Sequence, residues 1–274
     1  MRYREFVDRG FVHLSQQLSA EDCAVLRGAI WENVHPHHLG QNIHSKGGTG
    51  LSLPLHALTG ALRPGPEAHA PLLDFGQNPM FNGCDTALAD ALNQVFPTHD
   101  WIPAPEIGRL LMPAFPMGHP QWVVPSSAWH ADEPTFVDRD SPMGVLAFVF
   151  LDDVAVHGGS TMLLSGSPRL LQQMAKETAV SGESTVLQCQ EAIRRLRNNH
   201  PVFTDLFSDT GSPEERTQRF METPFTCQGI SLRVEELTGR AGDIVLMDPR
   251  ALHTISPNCS DRVRLILKLC AQGG

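Results

Sequence analysis

His130-Ala131-Asp132 places an imidazole and a carboxylate two residues apart. On an extended strand such residues point to the same side, so both could converge on one point. By itself the pair is uninformative, because with 13 histidines in 274 residues such spacings arise by chance. A second group stands far downstream, in Ala241-Gly242-Asp243-Ile244-Val245-Leu246-Met247 running on to His253. There a tight turn launches an apolar strand, and the histidine follows it. Pro257-Asn258 then marks a turn, and a last strand carries Arg262 and Arg264. Taken singly, each has a plain alternative: a surface His–Asp pair, a satisfied half-buried histidine, an arginine at a strand edge. Together they match one chemistry. Two imidazoles and one carboxylate on one face of an iron(II) ion leave three positions open. A 2-oxo acid can take two and O₂ the third. The acid's far carboxylate then needs a buried cation, and arginine's planar fork suits it.

The elements that must hold these groups read as strands. Gly144–Leu151 is a continuous apolar run, as a buried strand should be, and Ser160–Leu164 is a shorter one closed by Ser165-Gly166-Ser167-Pro168. Ile244–Met247 follows Gly242-Asp243. In Val263–Cys270 the odd residues Val263, Leu265, Leu267 and Leu269 face one side, and Arg264, Ile266, Lys268 and Cys270 the other. No βαβ alternation is visible, which argues for an antiparallel sandwich or barrel. Ser19 can cap an N-terminal helix with Glu21 and Asp22 in its first turn, and a short helix is expected around Asp85–Val95. His35 to Pro71 reads as loop. Leu170 to Arg240 is polar, with a helical piece near Gln190–Arg197, and is read as an insertion or lid over one mouth of a single domain spanning 1–274.

Composition narrows the function classes. Hydrophobic residues make up 41% and charged residues 19%, a globular balance. No apolar run is long enough to span a membrane. A net charge of −9 without a basic stripe argues against nucleic acid or an anionic membrane as partner. Six cysteines without a C-x-x-C pair suggest isolated thiols in a reducing cytoplasm. The expected partner is a small-molecule substrate, and a homodimer stays open. The histidines at 35, 37, 38 and 44 are read as solvated loop residues, His157 as a turn residue; for His119 and Arg109 a pocket-facing place is left undecided.

With those residues in view, the sequence resembles the phytanoyl-CoA dioxygenase (PhyH) family of iron(II)/2-oxoglutarate-dependent oxygenases. The segments that carry the resemblance are FVDRGFVHLSQQLSAEDCAVLR, WHADEP, HGGSTMLLSGSPR and GDIVLMDPRALHTISPNCSDRVR. It implies a mainly β fold, a double-stranded β-helix (jelly roll, cupin-like) with flanking helices. It implies His130, Asp132 and His253 as metal ligands and Arg264, eleven residues beyond His253, as the 2-oxoglutarate clamp. Arg262 is the second choice for that clamp. Ser256 and Trp129 are further candidates for the co-substrate site. The activity implied consumes Fe(II), 2-oxoglutarate and O₂ and oxidises an unactivated C–H bond of a metabolite, including natural-product intermediates. A carboxylate at position 132 favours hydroxylation over halogenation, with desaturation, epoxidation or ring formation left open. Two other readings use the same ligands: a Zn²⁺ hydrolase with a metal-bound water, and a catalytically silent jelly-roll binding protein.

Overall fold

The computed structural model describes residues 2–33, 79–104, 109–114, 121–139 and 142–273. The stretch 35–71 read as loop, with its histidines, and His119 lie outside them. Two antiparallel sheets face each other. The larger runs β1 (Phe11–Leu14), β10 (Ile244–Met247), β5 (Gly144–Phe150), β12 (Arg264–Gly273) and β2 (Trp101–Pro103), with β3 (Leu110–Ala114) also paired to β12. The smaller runs β11 (His253–Ile255), β6 (Thr161–Ser165), β9 (Ile230–Leu237) and β8 (Phe225–Cys227). Strands β4 (Thr135–Phe136) and β7 (Leu187–Gln188) form a separate pair. This is the jelly-roll core expected from the sequence.

Period-two alternation sorts the side chains into three apolar layers. Inward residues Phe148, Phe150, Leu163, Met247 and Ile266 fill the space between the sheets. Their neighbours Ala147, Val149, Leu246, Leu265 and Leu267 face outward, under α1 (Arg2–Arg9), α2 (Ala20–Asn33) and α3 (Asn82–Val95). The outer face of the smaller sheet, Met162, Leu164, Leu232 and Val234, is covered by α4 (Ser167–Val180), α5 (Cys189–Asn199) and α6 (Pro201–Leu206). Ser19 does cap α2, its Oγ accepting from the Asp22 amide at 3.0 Å. Among the described residues no helix is long and apolar enough to cross a membrane.

Two sequence expectations need correction here. Ser165-Gly166-Ser167-Pro168 does not only close a strand: Gly166, at φ +86°, turns the chain straight into α4, with Pro168 in its first turn. The stretch read as an insertion also ends earlier than Arg240. Within Ile230–Leu237, Arg233–Leu237 pairs with β6 and Ile230–Leu232 with β8, so the strand belongs to the core. What lies outside the sheets is the helical layer from α4 through α7 (Pro213–Thr217) and the π-turn Gln218–Glu222. Gly242 behaves as the turn reading requires. It sits at φ +92°, and a Cβ there would stand 2.2 Å from the Leu18 carbonyl oxygen, so only glycine fits.

Candidate metal centre

The backbone first brings the two histidines opposite each other. His130 N–H donates to the His253 carbonyl at 3.0 Å, and His253 N–H returns the bond to His130 at 2.8 Å. His253 pairs in turn with the inward Leu163. The two imidazole rings therefore share the interior face, centroids 4.3 Å apart. Asp132 follows two residues after His130 and turns to the same point. Its Oδ1 lies 3.8 Å from His130 Nε2 and its Oδ2 3.7 Å from His253 Nε2. One ligand atom from each of the three falls within 4.8 Å of the others, the only such group of three or more metal-ligand side chains among the described residues.

The tautomers suit metal binding. Nδ1 of His130 lies 2.9 Å from the Ala128 carbonyl, and Nδ1 of His253 lies 3.0 Å from that of Ala251. A carbonyl oxygen only accepts, so each Nδ1 carries a hydrogen, and in the neutral ring the lone pair then lies on Nε2. Burial, against the opposing pull of Asp132, brings His253 down to about 4, so it is neutral at pH 7. Burial alone would raise the Asp132 carboxyl, but His253, Lys268 and His130 outweigh it and hold it below its usual value. Lys268 makes the direct contact: its Nζ donates to Asp132 Oδ2 at 2.6 Å.

Arg264 begins β12 on the same inward face as Ile266 and Lys268. It is 2% exposed. None of its three guanidinium nitrogens has a hydrogen-bond partner among the described residues. Burial pushes it down to about 9. Asn258 prepares its position. Its Nδ2 donates to the carbonyls of Ala114 and Arg262, both at 2.8 Å, while its Oδ1 accepts from Ser260 N–H and Oγ. That closes the turn from which β12 departs.

The other candidates fall elsewhere. Arg262 lies in the Asn258-held turn, before the strand begins; its side chain is 87% exposed beside Asp261, so it cannot serve as a buried clamp. Trp129 points away from the histidines, as a neighbour on an extended chain must. It packs with Phe207 and donates to the Pro125 carbonyl at 2.9 Å, in the layer beneath the helices. Ser256 is buried beside β11, where its N–H bonds Ser160. Arg109 pairs with Asp85 and Asn82 on α3, outside the barrel. His157 is a turn residue, at φ +64° and stacked on Trp122.

Two residues that sequence reasoning did not assign to the site matter here. Lys268 was visible on the inward face, four residues after Arg264, but its partner comes from across the barrel. Arg216 is buried and donates to six backbone carbonyls: Val124, Pro125, Asp205, Leu206, Ser208 and Thr210. It thereby ties the helical layer to the segment that leads into His130.

No family model matches the chain, and no curated protein matches it in sequence. Solved structures do share its architecture. AviO1 from Streptomyces viridochromogenes Tue57 aligns at a TM-score of 0.52 and 15% identity, over 99% of this chain and 93% of its own. EvdMO1 aligns at 0.53 and 14%, over 99% of this chain and 49% of its own. A non-heme monooxygenase, ThoJ, in complex with nickel aligns at 0.52 and 12%, over 100% and 77%. At such identities the likeness is one of fold: the jelly-roll core of this chain is similar to that of these proteins.

Proposed function

We propose that this chain is a mononuclear non-haem iron(II), 2-oxoglutarate-dependent oxygenase of the PhyH type, oxidising an unactivated C–H bond of a small-molecule metabolite. The observation that carries the reading is Arg264. A guanidinium buried without a partner is costly, and it is tolerated where a ligand supplies the missing anion. It points into the space between the sheets that the two-imidazole, one-carboxylate group also faces, and a chelating dicarboxylic 2-oxo acid calls for both. Nothing in a zinc hydrolase or a silent binding domain calls for that cation.

Each part of the site then has a task. His130, Asp132 and His253 would hold iron through Nε2, a carboxylate oxygen and Nε2, leaving three positions open. Bound iron and 2-oxoglutarate together supply the oxidising power by which O₂ is activated. Arg264 would grip the far carboxylate through two N–H bonds. Phe148, Phe150, Leu163 and Ile266 keep water from the interior. The carboxylate at 132 occupies the position a halide would need, which favours hydroxylation. A net charge of −9 with no basic stripe favours a metabolite over a nucleic acid.

The test is anaerobic titration with Fe(II) and then 2-oxoglutarate, followed by succinate formation in air. The wild type should bind one iron and show metal-dependent 2-oxoglutarate binding, and His130→Ala and Asp132→Ala should each abolish succinate release. Wild-type rates in both variants would remove the assignment. Metal binding without 2-oxoglutarate binding would move the protein to the hydrolase reading.

A further inference from the structure

Lys268 has no assigned task in the reading above, yet it is placed where one is needed. It stands on β12, opposite Phe148 of β5 and Leu110 of β3, with Ile266 and Cys270 on its own face. A lysine in such a lining costs free energy unless its ammonium is paired. Its side chain is 18% exposed, and the ammonium reaches Asp132 Oδ2 at 2.6 Å. The contact spans the fold: Lys268 belongs to the large sheet, whereas Asp132 follows the segment bridged to β11 of the small one. It therefore fixes the candidate ligand that no strand or β-bridge holds.

The consequence is chemical. A carboxylate has two oxygens and can chelate an ion through both. An oxygen that accepts from an ammonium at this distance is the weaker donor to an ion, which makes Oδ1 the preferred ligand atom. Two imidazoles and a two-oxygen carboxylate would leave only two positions open, enough for the 2-oxo acid but none for O₂. We propose that Lys268 is a positioning residue of the metal centre: it holds Asp132 as a one-oxygen ligand and so keeps the third position open. This rests on the iron/2-oxoglutarate reading and adds to it a residue whose role is not ligation.

The test compares Lys268→Met, which keeps the aliphatic stem, with Lys268→Arg, which keeps a cationic donor, in the full chain. Two constants are read anaerobically: Fe(II) affinity, and the affinity of the iron- and 2-oxoglutarate-loaded protein for nitric oxide, a diatomic that takes the position left for O₂. In Lys268→Met, Asp132 is free to chelate through both oxygens and to fill that position. The nitric oxide affinity should fall on the order of 10–100-fold, the range typical of lost outer partners, while Fe(II) affinity holds or rises. Lys268→Arg should recover most of the loss. A general collapse of the site would instead lower both affinities together. That result, an unchanged nitric oxide affinity, or an arginine variant as impaired as the methionine one would each overturn the proposal. Should Lys268→Met fail to fold, Lys268→Gln reads the same two constants against the same criteria. A wild type that binds no iron or no 2-oxoglutarate removes the functional reading and this inference together. A wild type that binds both, with no divergence in the variant, removes this inference alone.

Discussion

Replacing Arg264 by methionine should stabilise the ligand-free protein while abolishing its response to 2-oxoglutarate. Burial pushes this guanidinium down to about 9, so its charge is strongly disfavoured where it sits. An arginine does not release its proton at neutral pH, so the cost falls on the fold. Set against it is the packing of the arginine stem, which methionine largely retains. Exchange of a buried charge for a hydrophobe of similar volume is often worth ~1–4 kcal/mol in stability. For a chain of this size that is a rise in Tm of about 2–15 °C. The assay is thermal unfolding of iron-loaded protein with and without 2-oxoglutarate. At a hundredfold excess over Kd the wild type should gain ~2.7 kcal/mol from the ligand, and the variant nothing. If Arg264→Met instead melts lower, as an ordinary core loss would, and still responds to 2-oxoglutarate, then Arg264 is a satisfied structural residue and not a waiting clamp.

Two further outcomes follow from the surroundings of the site. Arg216→Met strands the six carbonyls that Arg216 now serves; it should cost about 3–5 kcal/mol by chemical denaturation and weaken Fe(II) binding by loosening the segment before His130, with lysine unable to rescue because it lacks the planar fork. Glu236 is held above the usual carboxylate value by burial, against the pull of the Ser160 hydroxyl and the His157 amide; its stabilising protonated form is fully present below about pH 4.5 and lost as pH rises through its higher folded value, so Glu236→Gln should flatten this part of the stability–pH curve, and an unchanged curve would assign the dependence elsewhere.

The alternation in Val263–Cys270 and the apolar run at 144–151 were readable because burial on one or both faces leaves a period in the residue types. The Gly242-Asp243 turn was readable because a backbone at positive φ demands glycine. Where reading failed, the cause was long-range or directional. Trp129 adjoins His130 in sequence and for that reason faces the opposite way. Arg262 shares parity with Arg264, but parity orders side chains only inside a strand, and the strand starts at Arg264. The Lys268–Asp132 contact joins residues 136 positions apart, and no local pattern announces such a pairing. Helix α4 was hidden because Ser165-Gly166-Ser167-Pro168 marks a turn and a helix start with the same residues, and proline in a first turn serves both.

The two histidines also show why the site sits where strand pairing gives out. In a regular strand each backbone carbonyl is committed to the ladder. Here His130 belongs to an isolated bridge and His253 opens a three-residue strand. The carbonyls two residues back, Ala128 and Ala251, are therefore available to the rings, and each takes an Nδ1–H. For Ala251 the preceding turn arranges this, its own N–H bonding the Asp248 carbonyl at 2.9 Å. For Ala128 the backbone enters the left-handed region at φ +60°, a conformation that costs a non-glycine residue on the order of 1–3 kcal/mol. Its carbonyl serves the same purpose as that of Ala251, so two unrelated stretches of chain arrive at one solution. Each gives up regular pairing, fixes an imidazole tautomer with its own backbone, and turns an Nε2 lone pair toward Asp132. A longer, fully paired strand at either position would be the more stable local structure and would leave the ring free to choose the wrong nitrogen.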